Sequence, residues 1–220
     1  MNNKIEYPIR INRYLFLKNI CSRREADRLI EKKLITVNGN KAIIGQQIQK
    51  NDKVEIKKIG KDKLSKKQII LFNKPIGVVS HNPQFGEKEP NDFLPFTEKL
   101  SPIGRLDKMS HGLMIMSDDG RLVDKMLNPK FEHQKEYLVS VDKKITPNFI
   151  KQMSQGIDIG DYITKPAKIE KENNKSFYII LTEGKKHQIR RMCSTIGFTV
   201  LDLERIRMMN IKLGDLEEGQ

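Results

Sequence analysis

The 220-residue chain holds no tryptophan and only two cysteines, Cys21 and Cys193. The two lie far apart and neither belongs to a Cys-x-x-Cys pair, so neither a zinc site nor a disulfide framework is indicated. No apolar run approaches the ~18 residues that a membrane-crossing helix needs. The opening Met1-Asn2-Asn3-Lys4-Ile5-Glu6-Tyr7-Pro8 lacks the apolar core of a secretory signal. A reduced, cytoplasmic protein is expected. Its four histidines, His81, His111, His133 and His187, are dispersed and lack ligand spacing, which argues against metal hydrolysis. No G-x-x-x-x-G-K-[ST], G-x-G-x-x-G or G-x-S-x-G occurs, so nucleotide-driven chemistry and serine hydrolysis have no visible loop.

What the chain has in excess is positive charge. Lys and Arg number 41 against 28 Asp and Glu, a net charge of +13, which favours a polyanionic partner. The excess is uneven. Residues 1–68 carry 18 Lys and Arg against 7 Asp and Glu, a net +11, and the rest of the chain is close to neutral. This asymmetry predicts a small basic binding module at 1–60, a lysine-rich solvated linker at 61–68 and a larger domain at 69–220.

In the basic module, Ile11, Tyr14 and Leu15 predict a helix over 11–19. Ser22 and Glu25 form an S-x-x-E start signal for a second helix. On that helix Ala26, Leu29 and Ile30 share one face, and Arg24, Arg28 and Lys32 fall on the other. Ile35-Thr36-Val37 then enters an Asn38-Gly39 turn, a hairpin signal, and Val54–Ile56 alternates as a returning strand. A basic helix face is often only a solvated one. With Arg13, Lys18, Arg23 and Lys33 in the same module, a phosphate-binding surface is the better reading. The run RINRYLFLKNICSRREADRLIEKKLITVNGNKA resembles an S4 domain, a small RNA-binding fold.

The larger domain reads as α+β and sheet-rich. Strands are predicted over 68–73, 76–80, 112–117, 135–141, 163–170 and 177–182, with further strand in 198–213. Helices are predicted over 121–127, after Thr146-Pro147, and over 187–196. Between two of these strands lies Gly104-Arg105-Leu106-Asp107-Lys108-Met109-Ser110-His111-Gly112-Leu113. Taken alone, Asp107 reads as a turn residue and Arg105 as a surface arginine.

GRLDKMSHGL, however, resembles the catalytic-loop motif of the pseudouridine synthases, in the branch that modifies ribosomal RNA. NKPIGVVS, KEYLVSVD and EGKKHQIRRMCSTIGF resemble three further motifs of that family, in the same order. With the S4-like module the resemblance covers nearly the whole chain. Its opening, the PIGRLDK loop and the ERIRMMN run are most similar to a type acting on 23S rRNA. The implied fold is an S4 domain followed by a mixed, mainly antiparallel-sheet catalytic domain. The implied reaction breaks the N1–C1′ bond of a uridine, turns the uracil and joins C5 to C1′, with no cofactor. The implied site has Asp107 as nucleophile at C1′ or base at C2′, and Arg190 as its counter-charge. Tyr137 lies against the base, where its hydroxyl assists loss of the C5 proton. Arg105 fills the space the flipped uridine leaves. Arg13, Arg23, Arg24, Arg28 and Lys32 are expected to bind RNA. Arg191 would point about 100° away from Arg190 on the helix. A monomer acting on ribosomal RNA, 23S above all, is expected, without membrane or metal. The family continues past its last strand with a Trp-Arg pair that this chain lacks, a departure at the C-terminal edge. A silent RNA-binding or ribosome-assembly factor is the competing reading, as is a synthase acting on 16S rRNA or tRNA. Joint retention of Asp107, Tyr137 and Arg190 argues against a silent binder, which would not need the set.

Overall fold

The computed structural model describes residues 5–65, 67–95 and 99–220. The sequence readings at Met1–Lys4 and at Lys66 of the linker fall outside the described residues. The chain divides into two compact units. The first runs to Ile69 and takes in Ser117–Lys125; the second holds Ile70–Met116 and Met126–Gln220. No described helix is long and apolar enough to cross a membrane.

The first unit runs β1 (Ile9–Arg10), α1 (Ile11–Leu17), α2 (Arg23–Glu31), β2 (Ile35–Val37), β3 (Asn40–Lys41), β4 (Gln47–Ile48), β5 (Val54–Ile56) and α3 (Lys58–Ser65). Ser22 caps α2 as its sequence predicts, its Oγ accepting from the Glu25 amide at 3.3 Å, a bond worth about 1 kcal/mol. The Glu25 carboxylate turns instead to Lys67 Nζ, 2.5 Å away. Ala26, Leu29 and Ile30 pack into a core with Ile11, Leu15, Ile35 and Ile48. Asn38 and Gly39 both take positive φ, 51° and 81°, as a two-residue hairpin turn requires. The lysine-rich segment read as a linker holds α3 instead. A Cβ at Gly60 would sit 2.9 Å from Ile56 Cγ2, so the glycine that weakens the helical signal is what lets α3 approach β5.

The second unit is built on β6 (Ile69–Lys74), β7 (Ser101–Ile103), β8 (His111–Ser117), α4 (Gly120–Leu127), β9 (Lys135–Val141), α5 (Pro147–Gln155), β10 (Lys168–Lys171), β11 (Ser176–Leu181), α6 (Gln188–Thr195), β12 (Val200–Met208) and β13 (Ile211–Lys212), with most of α4 belonging to the first unit. The sheet order is β10-β11-β9-β12-β8-β6, with β13 on β12 and β7 on β8. The pairs β10–β11, β11–β9 and β9–β12 are antiparallel, and β12–β8 is parallel. The fold is thus α+β with a mixed, mostly antiparallel sheet. Phe149 and Met153 of α5 and Ile189, Met192 and Cys193 of α6 share a core with Val139 and Phe177 of the sheet. Cys21 and Cys193 are buried free thiols, each pushed up to about 12 first of all by burial, which makes them inert core side chains.

Two predicted strands are corrected. Residues 76–80 form a turn and loop, because Pro75 cannot donate to a ladder and Gly77 turns the chain at φ 86°. Of 163–170 only the end from Lys168 is strand. Pro166 interrupts the run, and Ile163 makes a lone bridge to Asp158. At the C-terminal edge, Gly219 N donates to Asn73 O (2.8 Å) and Asn73 N to Gln220 O (2.7 Å), so the last residues run beside the end of β6.

Candidate active site

The segment between β7 and β8 carries Arg105 and Asp107. Its shape is set by donors that take its backbone carbonyls one by one. Arg205, 1% exposed on β12, donates through Nη2 to Gly104 O (2.8 Å) and through Nε to Leu113 O (2.7 Å). Ser80 Oγ donates to Leu106 O and accepts from Leu106 N. Ser110 N closes a turn on Asp107 O at 3.0 Å, and Gly77 N donates to Lys108 O at 2.8 Å. Arg190 Nη2 donates to Met109 O (2.8 Å) and its Nη1 to Val200 O (3.1 Å). Lys74, fully buried, donates to Pro75 O (2.8 Å) and Ser110 O (2.7 Å). A loop whose carbonyls are individually bonded, several of them to the buried Lys74, Ser80 and Arg205, has little freedom to drift.

Gly112 makes this arrangement possible. It pairs with Arg205 across β8–β12, and a Cβ there would lie 2.6 Å from the Arg205 carbonyl oxygen. Burial pushes the Lys74 ammonium down to about 8, against the opposing pull of the Asp107 charge.

The Asp107 carboxylate is 38% exposed and faces a cavity of about 830 Å³, also lined by Arg105, Lys135, Tyr137, His187 and Arg205. Tyr137 lies on β9 opposite Arg205 of β12, 9% exposed. It belongs both to the sheet core and to the cavity wall. Lys135, two residues earlier on β9, shares its face and has its ammonium lowered, by burial first and the Arg205 charge second. The cavity therefore sets the Asp107 carboxylate before an aromatic side chain and several basic groups, while Glu183, also in its lining, accepts from Tyr162, Lys165 N and Gln188. Among the described residues no three His, Cys, Asp or Glu side chains gather as a metal site.

Arg190 differs from what the resemblance implies. Its guanidinium bonds the Met109 and Val200 carbonyls, and the basic side chain paired with the Asp107 carboxylate is His187, with Nε2 3.4 Å from Oδ1. His187 sits at the N-terminus of α6 with φ 52°, one left-handed step outside the helix predicted to include it. Arg191 binds Asp161 and the Ile159 carbonyl, off the cavity. Lys74, His187 and Arg205 are the site residues that sequence reasoning passed over. Their signals, a Lys before Pro, a His one turn ahead of Arg190 and an Arg in a strand, are each weak alone.

In the first unit, Arg13, Arg23, Arg24, Arg28 and Lys32 are all exposed. Arg24, Arg28 and Lys32 leave α2 on the side away from its buried Ala26, Leu29 and Ile30.

A small basic module ahead of a sheet domain with a carboxylate-bearing cavity fits an enzyme that acts on a polyanion. Residues 68–195 match the RNA pseudouridylate synthase family and residues 9–54 the S4 domain, and the chain belongs to the RNA pseudouridylate synthase family. It is 42% identical to the dual-specificity RNA pseudouridine synthase RluF of Escherichia coli (strain K12), over 96% of this chain and 74% of that protein. With the ribosomal large subunit pseudouridine synthase E of Vibrio parahaemolyticus it shares 34% identity, over 71% of this chain and 74% of the other. A crystal structure of a pseudouridylate synthase aligns with a TM-score of 0.71 at 26% identity, over 96% of this chain and 94% of that one. The chain is an RNA pseudouridine synthase.

Proposed function

We propose that this synthase acts as a monomer in the cytoplasm, converting a uridine of 23S ribosomal RNA to pseudouridine with Asp107 as the reacting carboxylate. The first unit, α3 included, docks the RNA, and the second carries the chemistry. The observation that carries the reading is the Asp107 carboxylate at a cavity with room for a nucleotide, on a loop clamped through its carbonyls. The Vibrio relative, named for the large ribosomal subunit, supports the choice of RNA.

The target uridine leaves its stack and enters the cavity. Arg105, exposed at the rim, fills the vacated space. Asp107 attacks C1′ or takes the C2′ proton, and the N1–C1′ bond breaks with its electron pair leaving on uracil. Lys135 and Arg205 offset that charge from fixed positions. Arg190 acts as a positioning residue through the Met109 carbonyl. After the uracil turns, C5 bonds to C1′ as the Asp107–C1′ bond breaks or, on the other route, as Asp107 returns its proton to C2′; the C5 proton then leaves with help from the Tyr137 hydroxyl, and N1 gains a proton. Atoms and electrons balance without an outside reagent.

Release of tritium from C5-labelled 23S rRNA transcript tests the reading. Wild-type protein is expected to release it in step with pseudouridine formation, and no release would remove the reading. Tyr137→Phe keeps the ring and loses the hydroxyl. Its single-turnover rate should fall by about 10²–10⁴-fold with RNA affinity retained; an unchanged rate would show that only the ring matters. A second reading, that the same cavity also serves another RNA class such as tRNA, is favoured by the dual specificity named for the 42%-identical relative. Tritium release from tRNA transcripts checks it.

The basic face of the first unit yields a separate expectation. Replacing Arg24, Arg28 and Lys32 together by Glu should lower the slope of log K against log salt by about 2–3, since each lost phosphate contact releases fewer counterions. The rate at saturating RNA should hold. Filter binding across a KCl series measures it, and an unchanged slope would place the RNA elsewhere.

A further inference from the structure

Phe85 is the most exposed large apolar side chain described, at 108% of the reference accessibility. Single exposed aliphatic residues need no explanation. Phe85 differs because its backbone is held. Glu87 N donates to Gln84 O at 3.0 Å, closing a β-turn with Phe85 and Gly86 at its centre and Gly86 at φ 83°. The Glu87 carboxylate locks the turn twice. One oxygen accepts from Gln84 N (2.9 Å), and the other from Lys108 Nζ (2.8 Å). Lys108 follows Asp107 directly and lines the same cavity, as do Val79, Ser80 and His81 at the root of the Phe85 loop. The loop is pinned again at Val79 N to Lys88 O (2.9 Å) and by Ser80 on Leu106. An aromatic ring is thus presented to water on a turn tethered to the residue next to the reactive carboxylate, with His81, Lys88 and Lys108 on the same loop and its tether.

We propose that Phe85 is a stacking platform for an RNA base flanking the target uridine, an inference that rests on the proposed function. When the uridine leaves its stack, its neighbours lose a partner, and splayed bases are recognised by aromatic faces. Arg105 occupies the gap inside the stack; Phe85 receives a neighbouring base outside it. Lys88, exposed on the loop, offers a charge to a phosphate beside that base, while Lys108 stays on Glu87 and holds the turn. With the backbone already held by its turn, only the two side-chain torsions of Phe85 remain to be fixed on binding.

The absence of tryptophan from the chain supplies the test. Phe85→Trp creates a single indole fluorophore in the 220-residue chain, and 23S rRNA transcript should quench it on binding. Phe85→Ala should bind the same transcript about 5- to 150-fold more weakly, the range that ~1–3 kcal/mol per stacked base gives. Phe85→Leu should fall with Ala and Phe85→Trp should stay near wild type, because a planar face and not apolar area is at issue. Folding is not in question for so exposed a side chain, and circular dichroism confirms it. Indole fluorescence of the Phe85→Trp protein unmoved by saturating RNA, or Ala or Leu variants that bind like wild type, overturns the inference. Tritium release by wild-type protein is scored alongside. Release with unaffected Phe85 variants removes Phe85 alone, whereas no release removes the substrate reading and this inference with it.

Discussion

Asp107→Asn is expected to abolish pseudouridine formation while leaving a folded, RNA-binding protein. The substitution keeps the size of the side chain and removes its charge. An amide neither attacks C1′ effectively nor accepts the C2′ proton, so both routes close. The single-turnover rate on 23S rRNA transcript should fall further than the roughly 10²–10⁴-fold typical of losing an acid–base group. Folding should survive, because the turn bond runs from Ser110 N to the backbone carbonyl of Asp107 and not to its carboxylate. The carboxylate's basic partner, His187 at 3.4 Å, is itself 49% exposed, so the pair adds little to stability. RNA affinity should hold or rise, since one negative charge near the phosphates is gone. Circular dichroism and filter binding supply the controls. A folded Asn variant with near wild-type rate would remove Asp107 from the chemistry.

The parts of this site that were legible in the sequence are those fixed by local pattern. Tyr137 sits on a strand whose KEYLVSV alternation marks both its limits, and Thr146-Pro147 marks the start of α5 as observed. Asp107 stood out only through its motif, since a Gly-Arg-Leu-Asp loop has no periodicity of its own. The donors that shape the loop were not legible because their bonds span long stretches of chain. Arg205 reaches Gly104 across 101 positions and Lys74 reaches Ser110 across 36. Neither spacing leaves a signature, and a buried cation satisfied by carbonyls looks in sequence like any surface Lys or Arg. Arg190 and His187 show a subtler limit. Three positions apart, they belong to one side of α6 by periodicity. The left-handed backbone at His187 swings that residue to Asp107 and leaves Arg190 to the Met109 carbonyl. The helix at Lys58–Ser65 escaped for another reason. Its lysines and Gly60 argue for a linker, and only the close approach to Ile56 accounts for the glycine.

Lys74→Met is expected to slow catalysis on the order of 10²-fold with RNA affinity nearly unchanged. Met matches the length of the buried stem but donates nothing, so the Pro75 and Ser110 carbonyls lose their shared donor; Lys108 O keeps Gly77 N. The loop then drifts, and a misplacement of about 1 Å at a reacting carboxylate costs a factor of that size. The wild-type pH profile should carry the same group. With the ammonium at about 8, raising pH past that point leaves an amine with two donors for the Pro75 and Ser110 carbonyls and a lone pair toward Lys108 O, 3.4 Å away. The wild-type rate should decline there, and the Met variant should lack that limb. Stability should move the opposite way. Below pH 8 both folded and unfolded states hold the proton, and burying the charge counts against folding. Between about 8 and the ordinary 10.5, the folded state sheds the proton while the unfolded chain keeps it, so the unfolded state binds more protons and stability rises with pH. The gain, complete above 10.5, is on the order of 3 kcal/mol. Melting wild type and variant side by side at pH 7 and pH 10 isolates it from the other lysines and tyrosines. The difference in Tm should shift toward wild type at the higher pH. A constant difference, together with an alkaline limb that persists in the variant, would show that Lys74 neither titrates in its buried site nor holds the loop through its charge.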